Sequence, residues 1–349
     1  MNILITGSGG LIGGEACRHW LTKHARVHGI DNNCRRQFFG SQGDVTPVIN
    51  SLKENKNYTH HNIDIRDREA ILDLFVDVRP DVIIHCAAQP SHDKAAAIPF
   101  DDFDVNAVGT INLLEASRRL DHDDLVFIHM STNKVYGDAP NKLGLCESDK
   151  RYDYANENFT LGISESLSID NCLHSLFGAS KVAADIVAQE YGRYFGMNIG
   201  IFRGGCLTGP QHAGVELHGF LSYIVKCAIS KKPYTIFGYK GKQVRDQIHC
   251  TDVISAFECF IKNPKQGEVY NIGGCKQNSA SILEIIDILR NDHNLNLNYT
   301  TIDKNRVGDH ICYYTDMTKF MSDFPTWTIE YSLNDIIKEI VDTENKTMK

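Results

Sequence analysis

The sequence predicts an α/β protein built on a doubly wound parallel sheet, with a smaller α/β lobe towards the C-terminus. Short, nearly unbroken apolar runs, amphipathic stretches between them, and a glycine-rich turn straight after the first run carry this prediction. Residues 2–6 (NILIT) read as a buried strand and 11–24 as a helix, followed by a strand over 26–31. A strand over 81–86, a helix over 99–120 and a strand over 125–130 continue the alternation, and a helix over 180–195 leads into a strand over 198–202. The interval 138–175 breaks the rhythm, being polar and too long for an ordinary connection. Tyr152, Tyr154, Phe159 and Leu161 give it something to pack, so it reads as a cap insertion over a functional site. The expected division is a domain over 1–203, joined again by part of 237–270, and a lobe over 204–236 and 271–349.

Length and charge narrow the function. The 349 residues suffice for two domains, and 36 basic against 44 acidic side chains leave a net charge of −8, the wrong sign for a general nucleic-acid binder. No run reaches the ~18–20 apolar residues of a membrane span, and the opening Met1–Gly7 lacks the features of a secretory signal. A cytoplasmic protein is expected. The 11 cysteines are scattered with no CxxC pair, which reads as free thiols, and the ligand spacings of a metal site are missing, so no metal is expected.

The first strand runs into Thr6-Gly7-Ser8-Gly9-Gly10-Leu11-Ile12-Gly13, and a helix follows. Gly7 permits the tight turn, Gly10 lets backbone approach a pyrophosphate, and Gly13 lets the helix press on the sheet, while the helix N-terminus supplies oriented N–H donors. The second strand ends in Asp31, about 20 residues further on, where a carboxylate accepts from a ribose 2′-hydroxyl. This is a Rossmann-type dinucleotide site over Gly7, Gly10, Leu11, Ile12, Gly13 and Asp31. Asp31 would repel the 2′-phosphate of NADP, whereas Arg35 and Arg36 would attract it; with the acid in place NAD is the expected cofactor. Asp64 and Ile65 close the next strand beside the adenine, and Ala87 and Ala88 are small enough to let the nicotinamide half pass.

At this point the chain resembles the extended short-chain dehydrogenase/reductase family, in its group of nucleotide-sugar epimerases and dehydratases. The glycine turn, His85-Cys86-Ala87-Ala88, Asn106 in NAVGT, Ser131 to Gly137 (STNKVYG), Arg245-Asp246 with His249 and Asp252, and Arg306 before Gly308-Asp309 fall in the family's order. The runs STNKVYGD and GKQVRD look like those of epimerases acting at C2 of CDP-linked sugars (CDP-paratose/CDP-tyvelose). The resemblance adds Asn32, Gln89, Asn106 and Lys181 to the cofactor site.

The family's chemistry needs a Tyr-x-x-x-Lys pair on one helix: the Lys holds the cofactor ribose and lowers the Tyr pKa, and the phenolate takes the sugar hydroxyl's proton. Here the segment reads Phe177-Gly178-Ala179-Ser180-Lys181. The Lys is present and the base is missing. Three readings stay open: another group acts, with Glu165, His174, Tyr154, Cys206 and His212 as candidates; Phe177 is a substitution that traps a complex; or the chain binds nucleotide-sugar without turnover. Thr132 matches the family's catalytic Ser/Thr. Asn133 and Lys134 follow it where the dehydratases carry an acidic pair, which disfavours elimination and leaves oxidation followed by re-reduction.

For the substrate, the resemblance makes Arg245 and Arg306 the diphosphate ligands, a task suited to forked guanidinium donors. Asn133, Arg203 and Asp309 join them. Leu217, His218 and Phe220 open a helix expected against the nucleotide, and Tyr234 and Phe237 lie on a strand beside the base. The expected protein is an NAD-dependent epimerase of a nucleotide-diphosphate sugar, CDP-linked and acting at C2. A UDP-hexose 4-epimerase is the alternative, and a non-catalytic NAD and nucleotide-sugar binder the reading from another class. The family implies a homodimer or homotetramer formed through the helices over 99–120 and 180–195, in a polysaccharide precursor pathway.

Overall fold

The structure is a computed structural model that describes residues 1–211, 219–305 and 308–347. It divides into two compact units. The first comprises Met1–Val135, Leu176–Arg203 and Val253–Tyr270; the second comprises Tyr136–Ser175, Gly204–Asp252 and Asn271–Lys349. Residues 237–252 therefore group with the second unit, and the return to the first begins at Val253.

The first unit is organised by a seven-stranded sheet. Its strands β1 (Asn2–Thr6), β2 (Arg26–Ile30), β3 (Tyr58–His61), β4 (Val82–His85) and β5 (Val126–Thr132) lie in the order β5-β4-β1-β2-β3, continued beyond β5 by Asn198–Gly204 and Glu268–Ile272. Strand β1 pairs in parallel with both β2 and β4, Thr6 lying opposite Ile30 and His85. The chain thus winds outwards in both directions from β1, and the carboxyl ends of β1 and β4 form the point where ligands of such sheets bind. Burial explains the composition: Ile3, Leu4 and Ile5 and Ile83 and Ile84 are wholly inaccessible, as strands covered on both faces require. One large core cluster joins Leu4, Ile30, Phe75, Leu113, Phe127 and Ile201.

Two helices differ from the sequence expectation. The stretch expected as one helix over 99–120 runs as Pro99–Phe103 and Gly109–Arg119 around a wider π-turn at Asp104–Val108. That turn contains Asn106, whose carbonyl accepts from the Thr110 hydroxyl at 2.6 Å. The helix expected over 180–195 starts earlier, at Ser175, so that Phe177 sits in its first turn.

The second unit holds the strand Val244–His249, flanked by Ser279–Ser281, Cys312–Tyr313 and Cys206–Thr208, and a parallel pair, Tyr234–Phe237 with Tyr299–Ile302. Helices Phe220–Ser230, Ile282–His293 and Leu333–Thr347 enclose its core. The polar interval after residue 138 is ordered and tied to this unit. Its hairpin (Leu145–Glu147 with Tyr152–Tyr154) is fixed by Tyr154 Oη donating to Cys312 O at 2.8 Å and by Arg151 donating to Ser279 Oγ at 2.8 Å.

Candidate active site

The turn after β1 is a cradle that side chains would fill. A Cβ on Gly13 would fall 2.1 Å from the Gly7 carbonyl, and Gly7 adopts φ +67° with room for no Cβ against the Ala87 backbone. Gly10 caps the helix α1 (Leu11–Thr22) without any side-chain cap, so its first N–H groups face outwards from a bare backbone. Asp31 is aimed at the same turn: Oδ2 accepts from Gly9 N at 2.9 Å and Oδ1 from Asn33 N at 2.8 Å. Each oxygen keeps a lone pair for a ribose hydroxyl. Arg36 is paired with Asp44 at 3.5 Å, and Arg35 lies over the Phe39 ring. A cradle closed to side chains beside a backbone-oriented acid fits the dinucleotide NAD.

Asn32 Nδ2 donates to Asp64 Oδ2 at 3.0 Å, and Arg66 grips the same carboxylate through Nε and Nη2, holding it below the usual carboxylate range. The Ile65 side chain belongs to the core, packed on Gly109, and its carbonyl accepts from Asn112; only its N–H remains for a base. Ala87 and Ala88 stay partly exposed, the N–H of Ala87 donating to Thr6 Oγ1. His85 is pinned beneath them. The Thr110 hydroxyl is spent on Asn106 O, so it must accept from His85 Nε2 at 2.9 Å, which makes His85 Nδ1 the acceptor of the Thr6 hydroxyl at 2.7 Å. Burial pushes this imidazole down to about 3, so it stays neutral.

Gln89 and Asn106 act as internal supports of the turn after β4. Both are buried, and every polar atom is engaged by protein. Gln89 Nε2 donates to Asp102 Oδ1 at 2.7 Å and to Ser91 O, while its Oε1 accepts from Ser91 N. Asn106 accepts from Gln89 N and donates to Gln89 O and Ser180 Oγ. Ser180 in turn donates to Asp102 Oδ2 at 2.6 Å. Asp102 and Ser180, which sequence reasoning missed, thus anchor the Gln89–Ser91 turn to the helix that carries Phe177 and Lys181.

Lys181 is buried and donates to Met130 O at 2.9 Å. Burial draws its ammonium down to about 8, against the opposing pull of Asp185, Cys86 and Asp102. Phe177 lies one turn earlier, buried, with the His92 ring packed on it at a centroid separation of 4.8 Å. Thr132, at the end of β5, is partly exposed and accepts from Lys134 N at 3.2 Å; its hydroxyl lies 3.4 Å from Asn133 Oδ1. Arg203 is 5% exposed and holds Asp185 through Nε and Nη2 at 3.0 and 2.8 Å, with Ser131 Oγ completing the carboxylate at 2.6 Å. It ties the helix of Lys181 to the sheet.

In the second unit Arg245 donates to Asp309 Oδ1 at 2.6 Å and to Val244 O at 2.7 Å, so these two expected substrate residues do meet. Tyr234 is corrected from base stacking to core, packed near Tyr223, because alternation along its strand turns Tyr234 and Ile236 inwards; Phe237 and Phe220 remain partly exposed. Among the proposed replacement bases, Tyr154 is spent on Cys312 O. Glu165, pushed up by burial, accepts from Asn271 N at 2.7 Å. His174 Nε2 lies 2.8 Å from Ile169 O, and Cys206 sits in a strand opposite Gln247. His212, Leu217, His218 and Arg306 lie outside the described residues.

Residues 3–273 match the NAD dependent epimerase/dehydratase family, and the chain belongs to it. Its cofactor is accordingly NAD. The CDP-paratose 2-epimerase of Salmonella typhi is 30% identical over 349 residues, covering 98% of both chains. The dTDP-glucose 4,6-dehydratase of Salmonella typhimurium is 30% identical over 83% of this chain and 77% of its own. Among solved structures, UDP-glucuronic acid 4-epimerase from Bacillus cereus, in complex with UDP-glucuronic acid and NAD, is 26% identical with a TM-score of 0.80, over 99% of this chain and 100% of that one.

Proposed function

We propose that this chain epimerises a nucleotide-diphosphate sugar, a CDP-linked sugar of the paratose/tyvelose type at C2, by transient oxidation to a keto-sugar and re-reduction. The observation that carries epimerisation over dehydration is the end of β5, where Thr132 is followed by Asn133 and Lys134 with no carboxylate to drive elimination. The full-length likeness to a CDP-paratose 2-epimerase supports the choice of sugar.

The Gly7–Gly13 cradle would hold NAD, and the bound cofactor would supply a reversible hydride acceptor for the sugar carbon. The chain's own residues do the rest. Asp31 holds the adenosine ribose, and Lys181 sets a cation beside the nicotinamide end of the cofactor. Thr132 donates to the reacting sugar oxygen. Arg245, released from Asp309, grips the diphosphate together with Arg306. The units assigned to these tasks are the sheet domain for NAD and the second unit for the nucleotide-sugar. A second reading, a 4-epimerase of a UDP-hexose or UDP-hexuronate, is supported by the Bacillus cereus enzyme's similarity over the whole chain.

The chain also forms a homodimer in this proposal. Leu176, Ile186, Tyr194 and Phe195 on one helix and Phe100 and Phe103 on another are exposed apolar side chains of the first unit, and a second copy covers them. The function is tested by incubating purified protein and NAD with CDP-paratose, UDP-glucuronic acid and UDP-glucose. The expected result is CDP-tyvelose from the first sugar alone; turnover only of a UDP-sugar selects the second reading.

A further inference from the structure

A family member with phenylalanine where its relatives' chemistry uses a phenol must find its proton acceptor elsewhere or forgo turnover. The replacements that the sequence suggests are poorly suited, since Tyr154, Glu165 and His174 each engage a backbone partner in the second unit. Two histidines of the first unit fail for another reason. His85 has both ring nitrogens engaged by Thr6 and Thr110, and His129 is wholly inaccessible within β5.

One imidazole lies directly against the altered position. His92 opens the helix His92–Ala97, is only partly buried, and lays its ring against that of Phe177 at 4.8 Å between centroids, tilted by 59°. The contact is held from both sides. The residue before it, Ser91, is bonded through both backbone groups to the Gln89 side chain, and Gln89 is bonded to Asp102. The other oxygen of Asp102 accepts from Ser180, whose hydroxyl also lies 3.0 Å from the Phe177 carbonyl. A single buried carboxylate therefore fixes the turn bearing His92 to the helix turn bearing Phe177. Such a fixture is what a general acid/base needs, because proton transfer tolerates little misplacement.

We infer that His92 takes and returns the sugar hydroxyl's proton in place of the phenol that Phe177 cannot supply. This rests on the oxidation and re-reduction reading proposed above. In the forward step the hydroxyl O–H bond breaks and its proton passes to an imidazole nitrogen of His92. The C–O bond becomes C=O as the carbon's hydrogen leaves, with its electron pair, for NAD. In the return step the hydrogen and its electrons come back on the opposite face, and His92 gives the proton to the carbonyl oxygen, so protons and electrons balance over the cycle. Phenylalanine suits this arrangement, offering the imidazole a flat apolar surface and no competing hydroxyl.

The test compares the wild-type protein with His92→Phe, His92→Gln, Phe177→Tyr and the double variant His92→Phe/Phe177→Tyr. Turnover is measured on CDP-paratose, UDP-glucuronic acid and UDP-glucose, and affinities for NAD and for each sugar nucleotide are measured by calorimetry. A positioned acid/base contributes about 10²–10⁴-fold to rate, so both His92 variants should lose kcat by that order while both affinities stay within about twofold of wild type. Phe177→Tyr should restore turnover to His92→Phe. Turnover that survives loss of the imidazole overturns the inference and leaves the epimerase reading standing. So does a loss of turnover matched by an equal loss of affinity, and so does an inert wild-type protein awakened by Phe177→Tyr. Inertness of both wild type and Phe177→Tyr towards every sugar overturns the epimerase reading, and the inference with it.

Discussion

Asp246 shows how much a single buried side chain sets at the residue scale. It is wholly inaccessible, accepts from Thr315 N at 3.0 Å, and is approached so closely that a Cβ on Gly273 would lie 2.4 Å from its Oδ2. Burial pushes its carboxyl from 3.8 up to about 6, against the bonds from Thr315. The folded state therefore holds this proton more tightly than the unfolded chain does. Its contribution to stability is fully present below pH 4 and is lost as pH rises through 6, a fall of about 3 kcal/mol. Asp246→Asn should remove that fall relative to wild type, as read from urea midpoints between pH 4 and 7; parallel curves for the two proteins would contradict it. The residues legible in the sequence were those with local signatures: Gly7 and Gly13 in a fixed spacing, Asp31 at a strand end, Lys181 beside Phe177. Asp102 and Ser180 were not legible, because 78 positions separate partners that only the fold brings together.

At the scale of elements, the helix Ser175–Phe195 shows how a site is held. Arg203 reaches it from the neighbouring strand as a bidentate partner of Asp185, with Ser131 and Gln189 completing the carboxylate's bonds. Removing one member leaves the other charge buried alone. Asp185→Asn should accordingly destabilise the fold by about 3–5 kcal/mol, seen in chemical denaturation; a loss under about 1 kcal/mol would show that the pair is not buried as described. Sequence periodicity placed this helix, but the bond from Arg203 to Asp185 was not legible, since an arginine on an apolar strand carries no mark of which way it points. The same limit applies to Tyr234, an aromatic of the kind that stacks on bases, which alternation turned into the core. The π-turn at Asp104–Val108 was likewise invisible to a pattern that continues smoothly through it.

At the scale of the whole molecule, the proposed homodimer is the one that covers the large apolar side chains exposed on two helices of the first unit, Phe100 at 85% and Tyr194 at 80% among them. The double variant Ile186→Lys/Phe103→Lys should convert a dimer to a monomer in sedimentation or light scattering, without changing the far-ultraviolet circular dichroism. A monomeric wild-type protein would contradict the assignment of this face. The doubly wound parallel sheet and the family were legible from alternation and motif order, because a parallel sheet writes its strands as apolar runs and its ligand turn as glycines; the order of the strands was not. What replaces the phenol was not, because nothing in a linear pattern connects His92 to a position 85 residues away.

The central claim is that the sugar carbon is inverted by removal and return of the same hydrogen, with NAD as its temporary holder. Epimerising CDP-paratose in deuterium oxide and weighing the product by mass spectrometry tests it most directly. The account predicts CDP-tyvelose with no deuterium on carbon. Deuterium at the inverted centre would show that the carbon loses a proton to solvent instead, and would contradict it.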